Sequence, residues 1–139
     1  MTKKLVWDGN NREEFINNFI RDIESLQKYT LTEDMYIDIV RRNGCAIQYI
    51  AKKNQTRKIC LEAVREWGIV IKCIKNRNKT RKICLEAVKQ CGYALKFIPD
   101  INQNFELCLE AIKQNKYSIK FVNKNKFPEI HEIWNIMYE

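Results

Sequence analysis

The chain has one histidine, no Cys-x-x-Cys pair, no glycine-rich loop after a strand pattern, and no run approaching 18 apolar residues in its 139 positions. Each absence excludes something. Without a long apolar run no segment can span a bilayer. The start, MTKKLVWDGNNREEF, offers only Leu5, Val6 and Trp7 as an apolar stretch, too short for a signal-peptide core. The expectation is a cytoplasmic protein in a reducing compartment. Nucleophilic catalysis needs a base beside the thiol, and the lone His131 lies in the last helical segment. No strand is predicted, no phosphate loop is present, and neither an enzyme nor a cofactor is expected.

Six cysteines remain to be placed: Cys45, Cys60, Cys73, Cys84, Cys91 and Cys108. An even count is compatible with three disulfides, but each lies in an apolar helical pattern rather than a loop-rich scaffold. Free cysteine in a reducing cell packs as a small hydrophobe, and that is the expectation for all six. Metal binding is not expected. Cys60, Cys84 and Cys108 fall 24 residues apart, and equivalent atoms on neighbouring stacked helices stand about 8–10 Å apart. Zinc ligands must converge at about 2.0–2.3 Å.

The nonapeptide TRKICLEAV occurs at Thr56–Val64 and again at Thr80–Val88, and the 24-residue windows that begin there share 13 residues. The windows on either side keep the pattern. The first column holds Thr32, Thr56, Thr80 and Asn104, residues whose short side chains cap helix N-termini. The fourth, fifth, sixth, eighth and ninth columns are apolar, covering roughly 200° of a helical wheel, so Leu85 in the sixth column is expected in the core. Gly44, Gly68 and Gly92, then Lys116, occupy the thirteenth, where glycine fits a left-handed helix cap. A second, shorter apolar block closes each window, and its Tyr93, Phe97, Tyr117 and Phe121 are expected as core aromatics, with a base-stacking platform for single strands as the less favoured alternative.

These columns predict an all-α solenoid of four helix-turn-helix units, 32–55, 56–79, 80–103 and 104–127, because a face that wide must be buried between neighbouring units. Residues 1–31 would supply an N-terminal segment and a capping helix over 11–28. Residues 128–139 would supply a C-terminal capping helix, with Ile133 and Ile136 in the sixth and ninth columns. The stretch ICLEAVKQCGYALKFIP, with LEAVREWG before it and LEAIKQNKYSIKFV after it, resembles a family of short tandem helical repeats from large DNA viruses and protists. That family is labelled only as a domain of unknown function. The resemblance covers 32–127; it implies an all-α fold and brings no activity or site residues.

The net charge of +8 is unevenly spread. Between Lys52 and Lys82 there are 11 Lys/Arg against Glu62 and Glu66, a net of +9, while the rest of the chain sums to −1. The cations fall in the loops (Lys52, Lys53, Lys75, Arg77, Lys79) and directly after the capping threonines (Arg57, Lys58, Arg81, Lys82). The helix macrodipole disfavours the four cations in first turns, and with the five loop cations they mark a candidate anion- or partner-binding edge; the plain alternative is solvated surface. The carboxylates Asp38, Glu62, Glu86 and Glu110, each with a basic residue three positions on, read as ordinary helix-face pairs. Trp67, just before a turn, is read first as a packed helix end and otherwise as a candidate contact residue. The expected function is a non-catalytic binding or adaptor module recognising another protein, with a basic edge suited to acidic ligands. The alternative is a nucleic-acid binder.

Overall fold

The computed structural model describes the backbone of Lys3–Lys4 and residues 10–139; residues 1–2 and 5–9 of the expected N-terminal segment lie outside the described residues. Among those described there are six α-helices: α1 (Arg12–Arg21), α2 (Glu33–Arg42), α3 (Arg57–Glu66), α4 (Arg81–Gln90), α5 (Phe105–Gln114) and α6 (Pro128–Tyr138). After a single extended or bent residue, α1 to α5 are each followed by a six-residue 3-10 helix: Ile23–Lys28, Gly44–Tyr49, Gly68–Cys73, Gly92–Phe97 and Lys116–Phe121. Three-residue 3-10 turns, Lys52–Asn54, Asn76–Asn78 and Asp100–Asn102, join successive helix pairs. The architecture is all-α but for one detail the sequence does not predict: β1 (Lys3–Lys4) pairs in parallel with β2 (Tyr29–Thr30). None of the described helices is long and apolar enough to cross a membrane.

Helices α2 to α5 each start where a capping side chain stands. The side-chain oxygens of Thr32, Thr56, Thr80 and Asn104 accept from the backbone N–H of Met35, Ile59, Ile83 and Leu107, three residues on, satisfying donors that have no partner inside the helix. Neighbouring α-helices pack side by side, α2 on α3, α3 on α4 and α4 on α5, and the 3-10 helices form a second row against them. The buried face is narrower than the sequence predicts. Columns four, five, eight and nine are buried throughout, as in Ile83, Cys84, Ala87 and Val88 of α4; they span about 140° of the wheel. The sixth column stands at the margin, so Leu61, Leu85 and Leu109 are only half-buried and Leu85 is not a core residue.

The second row obeys a period of three. Gly44, Ile47 and Ile50 are buried, as are Gly68, Ile71 and Ile74, and Gly92, Leu95 and Ile98. A helix with three residues per turn eclipses positions i and i+3, so each set forms one inward stripe. The glycine opening each stripe is not a left-handed cap: none of the three has positive φ, and the residue before it, such as Trp67 (φ −150°, ψ 101°), is extended. Glycine is needed for close approach. A Cβ on Gly68 or Gly92 would fall within 3.0 Å of the carbonyl oxygen of Ala87 or Ala111 in the next α-helix, and one on Gly44 at 3.0 Å from that of Ala63. The amides of Gly68 and Gly92 donate to Oε1 of Gln90 (2.6 Å) and Gln114 (2.5 Å), whose Nε2 groups donate back to the carbonyls of Glu66 and Gln90. Lys116 stands in the same column and opens its 3-10 helix with the same backbone, capped by Asn115.

The two flanking segments depart from expectation. Residues 11–28 are not one helix but α1 and a 3-10 helix, the same ten-plus-six construction as the later pairs with a shorter connection. At the other end α6 is rotated. It sits on Ile130, which is fully buried, with Trp134 Nε1 donating to the Lys116 carbonyl (2.7 Å) and the Tyr138 hydroxyl donating to that of Ile112 (3.3 Å). Ile136, expected in a core column, is 85% exposed because the stripe 130/134/138 faces inward instead.

Three substitutions test this packing in one denaturation series. Gly92→Ala should cost about 1–3 kcal/mol or more, since backbone must move to admit the methyl. Lys116→Ala, on an exposed side chain, should stay within about 0.5 kcal/mol of the parent. Ser118→Ala removes a fully buried hydroxyl with no hydrogen-bond partner and should raise stability by about 1 kcal/mol. Equal losses at Gly92 and Lys116 would contradict the close-approach account.

Candidate functional site

The starts of α3 and α4 lie side by side and carry the repeated Arg-Lys pair in their first turns. Between them runs a shallow groove lined by Arg57, Lys58, Leu61, Thr80, Lys82 and Ile83. Its floor is apolar because the sixth-column Leu61 is left half-exposed beside the nearly buried Ile83. Arg57 and Lys82 are exposed and make no ion pair with any described residue. Lys58 reaches Glu33 of the preceding helix start only at 4.0 Å, while Thr56 donates its hydroxyl to the same carboxylate at 2.5 Å. Arg81 is engaged differently: Glu106, at the start of α5, holds it at 2.5 Å, and the guanidinium keeps that carboxyl below its ordinary range. Part of the first-turn penalty is thus offset by an acid from the neighbouring helix, which the sequence does not reveal.

The loop cations divide. Lys53, Lys75 and Arg77 are exposed without an ion pair among the described residues. Lys52 donates its ammonium to the Cys73 carbonyl. Lys79 does not belong to the edge at all: it is 8% exposed, its Nζ donates to the Phe97 carbonyl at 2.7 Å, and burial pulls its pKa down. Its column explains why. Gln103, 24 residues on, sends its amide to the equivalent Phe121 carbonyl (3.3 Å), and Gln55 bonds the carbonyls of Ile47 and Ile50. Lys79 is a long structural donor in a glutamine position. Beside it, Asn78, Asn102 and Lys126 each donate to a backbone carbonyl of the preceding turn, those of Gln55, Lys79 and Gln103.

Trp67 closes α3 and is 48% exposed, beside a hollow lined with Cys45, Gln48, Ile69, Val70, Lys72 and Cys73. The aromatics expected in the core are not buried there. Tyr117 is 66% exposed and Tyr93, Phe97 and Phe121 are half-buried, Tyr93 meeting Phe97 and Phe121 edge-on with centroids 6.3 and 5.1 Å away. The period of three in the second apolar block was the signal for this, since Tyr93 and Tyr117 fall outside the inward stripe. The cysteines also divide. Cys60, Cys84 and Cys108 are buried and their thiols are pushed up to about 11 by desolvation, while Cys45, Cys73 and Cys91 are half-buried. All six are unpaired, and no cluster among the described residues could hold a metal ion. His131 Nε2 lies 3.3 Å from the Val122 carbonyl oxygen.

Two outcomes follow from these environments. Lys79→Gln keeps a donor for Phe97 and removes a desolvated charge, so thermal stability should hold or rise. A loss of more than about 1 kcal/mol would mean that the ammonium itself is required. The three buried thiols have folded pKa values above the ordinary 9.0, so folded protein holds protons that unfolded chains release. Their contribution to stability is complete below pH 9 and lost as pH rises through about 11. Thiol labelling of native protein near neutral pH should show three slow and three faster cysteines; uniform rates would contradict the burial pattern.

A family model described as a domain of unknown function (DUF4116) matches residues 80–126. The matched segment holds α4, α5 and the 3-10 helices that follow them. No curated protein and no solved structure matches the chain.

Proposed function

We propose that residues 32–127 are four tandem 24-residue helical repeats stacked as a short solenoid, and that the chain is a non-catalytic binding module that grips an acidic segment of another protein. The observation that carries this reading is the groove between the starts of α3 and α4. It pairs an apolar floor, Leu61 and Ile83, with Arg57 and Lys82, two cations that no described acid neutralises. A bare phosphate backbone would leave such a floor unused, whereas a peptide alternating acidic and bulky apolar residues satisfies both parts. The edge continues to the start of α5, where an exposed Phe105 stands in the column that holds Arg57 and Arg81. Lys53, Lys75 and Arg77 add positive potential that would steer an acidic partner toward it. The one histidine lies away from the groove, against the Val122 carbonyl.

The test reverses the two unpaired cations. Arg57→Glu with Lys82→Glu should weaken binding of an acidic, leucine-containing peptide by about tenfold or more, measured by calorimetry at low salt. Stability should hold or rise, because acids in a first turn are worth about 0.3–1 kcal/mol each. Arg81 and Lys58 are left intact, since each faces a carboxylate. Unchanged peptide affinity in the double variant would contradict the reading. Preference for an oligonucleotide over the peptide at this edge, with affinity falling log-linearly in salt, would replace it with the nucleic-acid alternative.

A further inference from the structure

A second surface, sharing no residue with that groove, runs along the row of 3-10 helices. The segments Gly44–Tyr49, Gly68–Cys73, Gly92–Phe97 and Lys116–Phe121 contain no aspartate or glutamate and carry Lys72, Lys96, Lys116 and Lys120. Every ion pair among the described residues joins residues of the α-helices, so these four lysines pair with no described acid. The ammoniums of Lys96, Lys116 and Lys120 rest on aromatic rings instead. Lys96 lies 5.5 Å from the Tyr93 centroid, Lys120 5.8 Å from the same ring and 5.1 Å from that of Phe121, and Lys116 5.3 Å from that of Tyr117.

Geometry makes this a strip. With three residues per turn, the positions one and four places after the opening residue stack on the outward face. They are Ile69 and Lys72, Tyr93 and Lys96, Tyr117 and Lys120. Adjacent 3-10 helices touch, and the Tyr93–Phe121 contact and the Lys120–Tyr93 contact cross from one to the next. Trp67 and its hollow extend the strip beside Lys72. Two of these helices, Gly92–Phe97 and Lys116–Phe121, thus stack a tyrosine and an unpaired lysine, Tyr93 with Lys96 and Tyr117 with Lys120, and Trp67 at the end of α3 supplies a ring beside Lys72. Glu66, which precedes Trp67, belongs to α3.

We propose that this strip binds single-stranded nucleic acid, bases stacking on Trp67, Tyr93 and Tyr117 and phosphates meeting Lys72, Lys96 and Lys120. Aromatic platforms interleaved with cations are how single strands are held without sequence preference. Stacked helical units can take one base each, at an interval of about 8–10 Å that an extended strand can span. A duplex keeps its bases stacked inside and presents no ring faces along its length. An acidic peptide would use the lysines and leave the rings idle.

The probes are labelled oligouridylate, oligodeoxythymidylate and a duplex of matched length, titrated by fluorescence anisotropy at low and moderate salt. The single strands should bind, and the duplex at least about tenfold more weakly. Tyr117→Ala, which removes an exposed ring and leaves the core untouched, should weaken single-strand binding about tenfold, and Lys96→Ala with Lys120→Ala by at least as much. Arg57→Glu with Lys82→Glu should leave it unchanged, which separates this proposal from the protein-binding groove. Circular dichroism confirms that each variant is folded. No binding of either single strand at low salt would overturn the proposal, as would equal affinity for duplex. So would strip variants that bind like the parent while the groove variant fails, or oligoglutamate bound as tightly as oligouridylate and lost in the same strip variants.

Discussion

A methyl group on Gly68 or Gly92 would intrude on the carbonyl oxygen of Ala87 or Ala111, and that single clearance fixes how closely one helix pair can approach the next. The same alanine carbonyls accept the amides that end their own helices, Cys91 to Ala87 and Asn115 to Ala111. The neighbour is backbone and already engaged within its own helix, so it is the 3-10 row that must supply the small residue, glycine. The Gln90 and Gln114 side chains lock the approach by accepting from the glycine N–H and donating to the carbonyl of the previous helix end. Both candidate surfaces depend on this spacing. The groove between α3 and α4, and the return of Tyr93 with Lys96 as Tyr117 with Lys120 along the 3-10 row, exist because equivalent residues recur on neighbouring helices.

Much of this is legible in the chain. The capping residues and the ten-residue helices α2 to α5 can be read directly, because local physics writes each of them. The misreadings have a common cause, which is contact between windows. Glycine after a helix looks like a left-handed cap until the neighbouring carbonyl is seen. Lys79 looks like loop charge until Phe97 offers it a carbonyl in a buried setting. Leu85 fits a helical wheel but sits at the edge of the interface. Residues 11–28 repeat the α-plus-3-10 construction with a shorter connection, which displaced them from the 24-residue register. Ile133 and Ile136 matched the columns, yet α6 turned onto Ile130, Trp134 and Tyr138.

Charge follows the same two-row logic. Along the outer α faces, Arg12 with Asp38, Arg41 with Glu62 and Arg65 with Glu86 bridge successive helices; such exposed pairs are each worth at most about 1 kcal/mol. They consume acids and leave cations unpaired elsewhere, at the starts of α3 and α4 and along the 3-10 row. The positive excess of residues 52–82 thus divides into one structural lysine, several partly engaged cations and an apolar-floored groove, while the separate aromatic face draws most of its lysines from beyond that run.

The claim on which everything rests is that the α3 and α4 pairs are each clamped to the next through a glycine, Gly68 and Gly92. Amide hydrogen exchange of Gln90→Ala tests it at one atom. The Gly68 N–H opens its 3-10 helix and its partner is Gln90 Oε1. Its protection should fall about tenfold, the worth of one hydrogen bond, while the Gly92 amide, held by Gln114, keeps its rate. Unchanged exchange at Gly68, or an equal loss at Gly68 and Gly92, would contradict the account.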